Sequence, residues 1–208
     1  MVQQFDELNN IRSLPFEQYF GEMDLSDSQK KRRIDIAELL DIEILYILSL
    51  IDIQQLYMSI NWEDVALLFE NAYRVALEGE ELDEELEAYI KDMSKSLADS
   101  TKNDIGNNYT LSYDRSRYIA ENEANTVINH LEESEALYSG YSYKKWVTMA
   151  DEKVRHSHRR VNNQTIPITS FFEVGDSIMR YPKDTSLGAS PTEYINCRCT
   201  IKYTNKAN

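Results

Sequence analysis

The sequence predicts an α+β fold: an all-helical body followed by a small module that contains a short β-sheet. Before residue 140, apolar residues recur at three- and four-residue steps, which is the spacing of one helix face. After Gly140 the chain changes to short apolar or alternating runs separated by turn residues. The charge changes sign at the same place. Residues 1–143 hold 11 basic and 30 acidic side chains, whereas residues 144–208 hold 11 and 6.

Four helices are predicted in the first part of the chain, after an arm or short helices in residues 1–24. Ser26 or Asp27 can cap the first helix, and Asn61 or Asp64 can start the second. Turn-forming residues at 103–108 separate the third helix from the fourth. The predicted spans are 26–60, about 61–79, 82–97 and 112–137.

Three strands are predicted in the remainder, at about 146–149, 165–168 and 199–203. Trp146 is the predicted core residue of this sheet, which lies within residues 144–203. We therefore expect two domains, an acidic helical body over residues 1–109 and a module over residues 110–208 in which the fourth helix packs on the sheet.

The composition indicates a globular protein without a membrane-spanning segment or a disulfide framework. The contents of hydrophobic and charged residues, 42% and 28%, are those of a globular protein. The most apolar run, residues 44–51, is too short to span a bilayer, and the start of the chain lacks the pattern of a signal peptide. Cys197 and Cys199 are separated by one residue, so they form no disulfide framework, and a reducing compartment suits them best.

The net charge of −14 predicts weak binding of naked DNA by the whole chain. Contacts with phosphate are expected only in the basic C-terminal module, because its charge is opposite to that of DNA. The candidate side chains are Lys144, Lys145, Lys153, Arg159, Arg160 and Lys202.

Three potential metal ligands fall in the module: His158, Cys197 and Cys199. Together they could hold zinc, with Asp151 or His156 as a fourth ligand. Alternatively, both thiols are small buried side chains and the imidazole is hydrogen-bonded to backbone or to Asp151. The order of the motifs predicts that the last strand runs back beside the segment after Trp146, and therefore that His158 lies close to the two sulfurs.

Two catalytic interpretations use the same residues. Cys197 could be a nucleophile activated by His158. Asp151, Arg155, His158 and Arg198 could instead serve phosphodiester cleavage, with the imidazole as general acid–base and the arginines stabilising the transition state. A structural interpretation, which we favour, pairs Arg115 and Arg155 with Glu123 and Asp151 in ion pairs that hold the fourth helix against the sheet.

The module contains an ordered set of short motifs that resembles a known family. The motifs are residues 115–123, Trp146-x-Thr148-x-x-Asp151, Arg155-x-x-His158, Tyr181-Pro182-x-Asp184 and Asn196-Cys197-Arg198-Cys199. In this order they resemble the C-terminal module of phage minor head proteins, the Mu F-like head morphogenesis family, over about residues 110–203.

The resemblance implies a non-enzymatic minor capsid protein of a tailed bacteriophage. Such a protein binds the portal protein and other head proteins, acts in head assembly and has a role in genome ejection. It would lie inside the capsid at the portal vertex, and in the host cytoplasm during assembly. The alternative is a small nuclease-like or toxin-like enzyme that uses His158 and the neighbouring arginines.

The chain departs from the family at two places. Some members have a cysteine pair where Arg155 and His158 stand, which with Cys197 and Cys199 would make a four-thiolate metal site. The fourth helix has Glu121-Asn122 where an Arg-Thr pair is usual, which leaves Arg115 and Glu123 as the residues that match the family's pattern.

Overall fold

The predicted α+β class is confirmed by the computed structural model, which describes residues 15–57 and 59–206. Residues 1–14 of the predicted arm lie outside the described residues. Seven helices occur in the described ranges: α1 (Phe16–Gly21), α2 (Asp27–Tyr57), α3 (Trp62–Ala76), α4 (Glu84–Asp104), α5 (Tyr113–Tyr138), α6 (His156–Val161) and α7 (Pro191–Tyr194). Five strands accompany them: β1 (Tyr143–Val147), β2 (Thr165–Pro167), β3 (Phe172–Val174), β4 (Ser177–Met179) and β5 (Thr200–Thr204).

The four predicted long helices correspond to α2–α5, and the three predicted strands to β1, β2 and β5. Helix α4 continues to Asp104, beyond the predicted end at residue 97, because Ala98 and Thr101 extend its buried face. The Thr101 hydroxyl donates to the Leu97 carbonyl, so this polar side chain is satisfied within the helix.

The described residues cluster into two compact units. The first comprises residues 15–19 and 34–121, and the second comprises residues 20–33 and 122–206. Helices α2 and α5 therefore contribute residues to both units. The domain boundary between residues 109 and 110 stays a prediction.

The first unit is helical. Asn61 accepts a hydrogen bond from the Glu63 N–H and caps α3, and Asp83 caps α4 by accepting from the Leu86 N–H. These two helices pack together through apolar side chains; the buried ones include Val65, Phe69, Ala72, Tyr73, Leu86, Ile90 and Ala98. None of the described helices combines the length and the apolar character that crossing a membrane requires.

The second unit is built on a three-stranded antiparallel sheet in the order β2–β1–β5. Trp146 pairs with Ile201, so the last strand runs back beside β1, as the order of the motifs predicts. Strands β3 and β4 form a separate hairpin, in which Val174 pairs with Ser177 across a two-residue turn of Gly175 and Asp176. That Gly-Asp pair is a hairpin signal that the sequence prediction overlooked.

Trp146 is fully buried and lies at the centre of the second unit's core, as predicted. Its ring meets Phe172 edge-on, with 5.2 Å between ring centroids, and meets His158 edge-on at 5.7 Å. Cys197 and Cys199 belong to the same core. The core therefore brings the imidazole, both thiols and the indole ring together.

Candidate functional site: a buried histidine–cysteine cluster

His158 reaches the core from the short helix α6. His158 and Val161 are three residues apart on this helix and are both buried, so they share its inward face. The sequence prediction did not foresee α6. A helix of six residues is too short for apolar periodicity to reveal it.

The two cysteines lie just before β5, and hydrogen bonds to their main-chain N–H and carbonyl groups hold them in place. Asn196 adopts a left-handed backbone conformation, with φ of 57°, and the Cys197 N–H donates to the Tyr194 carbonyl. From α5, the Asn125 side-chain amide donates to the Cys199 carbonyl at 3.3 Å, and the Asn129 amide donates to it at 3.4 Å. These contacts fix the backbone from which both thiols project.

The predicted proximity of His158 to both cysteines is confirmed. The His158 Nδ1 atom lies 3.3 Å from Cys199 Sγ and 3.6 Å from Cys197 Sγ. One ligand atom from each residue falls within 4.8 Å of the other two, and all three residues are buried. We call these three residues the His–Cys cluster.

Glu193 lies on the other side of the imidazole, and the sequence analysis did not single it out. Its Oε2 atom is 3.1 Å from His158 Nε2 and accepts from the Ser157 hydroxyl at 2.7 Å. A carboxylate at Nε2 favours the ring tautomer whose Nδ1 lone pair faces the two sulfurs. Ser190 and Pro191 before it are a helix-start signal, which predicts α7 but not this contact.

Gly175 makes room for Glu193. A Cβ at this position would lie 2.5 Å from Glu193 Oε1, which is closer than side-chain atoms approach one another. The residue also has a φ of +62°, which suits glycine. The hairpin turn therefore passes directly over the carboxylate that orients His158.

The three cluster residues perturb one another's pKa values. Burial disfavours the Cys197 thiolate, but hydrogen bonds from Cys199 and His158 outweigh it and lower the pKa of Cys197. The pKa of Cys199 is raised by its bond to Cys197 and by burial. Burial lowers the pKa of His158, yet contact with Cys197 and the charge of Glu193 raise it overall. Without a metal, these contacts thus favour the charged forms of Cys197 and His158 and disfavour the thiolate of Cys199.

The cluster residues fit a zinc ion. In a tetrahedral site, zinc bonds of about 2.1 Å to nitrogen and about 2.3 Å to sulfur place the two ligand atoms about 3.6 Å apart. A cavity of about 20 Å³ adjoins the three residues, and this is enough space for one water molecule as a fourth ligand. The same interatomic distances suit thiol–imidazole hydrogen bonds, so zinc occupancy stays a prediction.

Three charged motif residues have partners other than those predicted. Asp151 pairs with Arg198, whose Nη2 atom donates to both carboxylate oxygens at 2.9 and 2.7 Å. Arg155 donates to the Ile195 carbonyl. Arg115 donates to the Thr110 carbonyl and the Ser100 hydroxyl. The predicted pairing of Arg115 and Arg155 with carboxylates is therefore replaced by arginine contacts to backbone and hydroxyl oxygens.

The predicted phosphate contacts need correction at Lys144. This side chain is fully buried and donates to Glu133 at 2.7 Å, because β1 turns it toward helix α5. Lys202 pairs with Asp24, and Arg159 donates to the Glu152 carbonyl. Of the predicted set, Lys153, Arg159 and Arg160 are exposed, and Lys145 is half-buried.

A second buried cluster was missed by the sequence analysis. Arg33 is fully buried and forms a two-pronged ion pair with Glu132, at 2.8 and 2.9 Å. It also donates to the side-chain oxygens of Asn125 and Asn129, whose amides hold the cysteine backbone. The available signal was a row of polar residues at helical spacing along α5, namely Asn122, Asn125, Asn129, Glu132 and Glu133.

The structure encloses the imidazole that the nuclease interpretation uses as general acid–base. The imidazole is buried, and its two nitrogens face the cysteines and Glu193.

A family model described as Phage Mu protein F like protein matches residues 69–202. The match covers well over half of the chain and takes in the whole His–Cys cluster. It begins within helix α3, earlier than the resemblance near residue 110 indicated. No curated protein and no solved structure matches the chain.

Proposed function

Because the chain belongs to the phage Mu protein F-like family, we propose that it is a minor capsid protein that binds the portal vertex of a tailed bacteriophage during head assembly. The family is one of bacteriophage head morphogenesis. The family match is the observation that carries the proposal. Portal binding, residence in the virion and a role in genome ejection go beyond that match and are part of what we propose.

The described geometry supports a structural role. In the second unit, buried polar side chains hold α5 to the strands, as Lys144 does by pairing with Glu133. Lys183 adds a hydrogen bond to the Asn122 carbonyl at 2.9 Å. Networks of this kind specify one arrangement of their elements, which suits a component of an ordered assembly.

Co-expression with the portal protein of the same phage tests the proposal. We expect a stable complex of defined stoichiometry in size-exclusion chromatography with light scattering, and no complex with an unrelated protein as control. Mass spectrometry of purified virions should find the chain at a low, fixed copy number. Absence of the chain from both assembling heads and virions, together with no portal complex, would overturn the proposal.

Contact with phage DNA is a separate part of the proposal and involves the exposed basic side chains Lys153 and Arg160. We expect weak binding of duplex DNA that falls with salt, with a slope of roughly −0.9 per phosphate contact in a log–log plot. Fluorescence anisotropy of the full chain across a salt series measures this slope. A K153Q/R160Q variant should bring this negative slope closer to zero. An unchanged slope would show that these two side chains do not contact DNA.

A further inference from the structure

Helix α2 presents a second apolar face to solvent. Five large side chains on it are between 42% and 70% exposed: Leu39, Ile42, Tyr46, Ile53 and Leu56. Together with Ser49 they follow one another at alternating steps of three and four residues. This is the spacing of the two contact positions in a coiled-coil heptad. We call these six residues the α2 stripe.

The α2 stripe is not the side of the helix that forms the core. Leu40, Ile44, Ile47, Leu48 and Ile51 are buried, and they occupy the heptad positions on the other side of the helix. Helix α2 is thus apolar on two sides, and one of them is already packed. Ordered apolar rows left exposed on a protein surface mark interaction sites.

Ser49 does not interrupt the apolar character of the stripe. Its hydroxyl donates to the Leu45 carbonyl one turn earlier, at 2.8 Å, so it needs no partner from outside the helix. From Leu39 to Leu56 the stripe is about 25 Å long at 1.5 Å per residue. A partner helix of about five turns would cover it.

The charged residues beside the α2 stripe determine which kind of helix can pair with it. Glu38, Glu43 and Asp52 occupy heptad positions that flank the contact rows, where charged side chains determine which helices pair. Residues 34–57 contain no lysine or arginine. A second copy of α2 would therefore place carboxylates beside carboxylates in either orientation.

We propose that the α2 stripe docks an amphipathic helix of a partner protein whose own apolar stripe is flanked by lysine or arginine. Apolar side chains supply the contact area, and the cationic flanks pair with Glu38, Glu43 and Asp52. The proposal rests on α2 alone and holds whether or not the partner is the portal protein.

The test uses the full-length chain and two synthetic helical peptides of about three heptads. Both peptides carry leucine at the contact positions, and they differ only at the flanking positions, which are lysine in one and glutamate in the other. We expect fluorescence anisotropy to show that the lysine peptide binds at least about tenfold more tightly, because opposite charges then meet across the interface.

Matched variants separate the stripe from general attraction to an acidic protein. Ile42→Gln combined with Ile53→Gln keeps the net charge and changes only exposed side chains, so the fold should persist by circular dichroism. We expect this variant to lose the binding of the lysine peptide. Leu67→Gln, at a 62%-exposed position on α3, should leave binding unchanged.

Three results would overturn the proposal. The peptides could bind equally, or the Leu67→Gln variant could lose binding as the stripe variant does. Sedimentation could also show that the full chain self-associates through the stripe, with Ile42→Gln/Ile53→Gln returning it to a monomer. That last result would make a second copy of this chain the occupant.

Discussion

Two of the buried polar clusters in the second unit differ in whether all their hydrogen bonds are made internally. We call Arg33 and the side chains that it contacts the closed cluster, and the His–Cys cluster the open one. Arg33 uses all five of its N–H donors: they go to the Gln29 carbonyl, Asn125, Asn129 and both oxygens of Glu132. The His–Cys cluster instead points two sulfurs and one ring nitrogen at a common place beside a small cavity.

The difference indicates what each cluster does. A buried charge whose hydrogen bonds are all made internally fixes the position of its neighbours and has no capacity left for a ligand. Three converging soft donors have that capacity, because a metal can replace their protons. Asn125 and Asn129 contact both clusters, since their oxygens accept from Arg33 and their amides donate to the cysteine backbone. The closed cluster therefore supports the open one.

The largest effect on folding stability should come from Arg33→Met. The substitution leaves Glu132 buried without its counter-charge, and we expect a loss of about 3–5 kcal/mol in the free energy of unfolding. Urea titration followed by circular dichroism measures it.

A matched double variant separates charge burial from packing. Arg33→Met with Glu132→Leu removes both charges, so it should recover the part of the stability that was lost to the unpaired charge. The oxygens of Asn125 and Asn129 still lack their donor in this variant, so recovery should be incomplete. If Arg33→Met alone lowers the free energy of unfolding by less than about 1 kcal/mol, the closed cluster does not hold the second unit together.

Zinc binding should have the next largest effect on folding stability. A ligand that binds only the folded state at a hundred times its dissociation constant adds about 2.7 kcal/mol of stability. We expect zinc to raise the melting temperature of the chelator-treated protein, and Cys199→Ser to abolish this rise.

His156→Ala is the control for zinc. This histidine lies on the same helix as His158 but is exposed. If zinc leaves the melting temperature of the wild-type protein unchanged, the His–Cys cluster is a hydrogen-bonded thiol–imidazole core.

The elements that the sequence predicted are those with long periodic patterns. Helices α2–α5 and strands β1, β2 and β5 follow from apolar spacing, and the closeness of His158 to the cysteines follows from the order of the motifs. Helix α6 is too short for periodicity to reveal, and the β3–β4 hairpin was missed because its Gly-Asp turn signal was overlooked.

Partner choice among charged residues was the least predictable feature. Lys144 lies next to Lys145 in the sequence, and strand alternation turns one inward to Glu133 and leaves the other half-buried. Spacing alone also could not show that Arg198, rather than Arg155, pairs with Asp151. Glu193 is 35 residues from His158 in the sequence, and only the fold brings them together.

Gly175→Ala should have a smaller effect, on zinc affinity. It tests whether Glu193 orients His158. The new Cβ would displace the carboxylate from His158, so we expect zinc affinity to fall about tenfold, as losses of second-layer contacts commonly cause. Gly188→Ala is the matched control. Gly188 also has a positive φ, of 74°, but nothing lies within 4 Å of its added Cβ. Equal zinc affinities in the two variants would show that Glu193 does not orient the ligand.

The smallest effect that we expect is on how folding stability depends on pH in acid. It tests the buried charged residues near Lys144. Burial disfavours ionised Asp184, but hydrogen bonds from Arg180 and Ser186 outweigh it and hold the pKa of Asp184 below its ordinary value of 3.8. A depressed pKa contributes stability that is present above pH 3.8 and is lost as the pH falls through the folded-state value. Asp184→Asn should therefore make stability less dependent on pH in this acid range.

Glu133→Gln should have the opposite effect on the acid profile. Burial raises the pKa of Glu133 above its ordinary value of 4.5, despite the contact with Lys144. The folded state then takes up this proton before the unfolded chain does, so in the wild type this group adds stability as the pH falls and loses it as the pH rises. Removing the group should steepen the acid loss, whereas Asp184→Asn flattens it. Urea midpoints between pH 3 and pH 6 measure both slopes; if the two variants shift the slope in the same direction, one of the two burial environments is wrongly assigned.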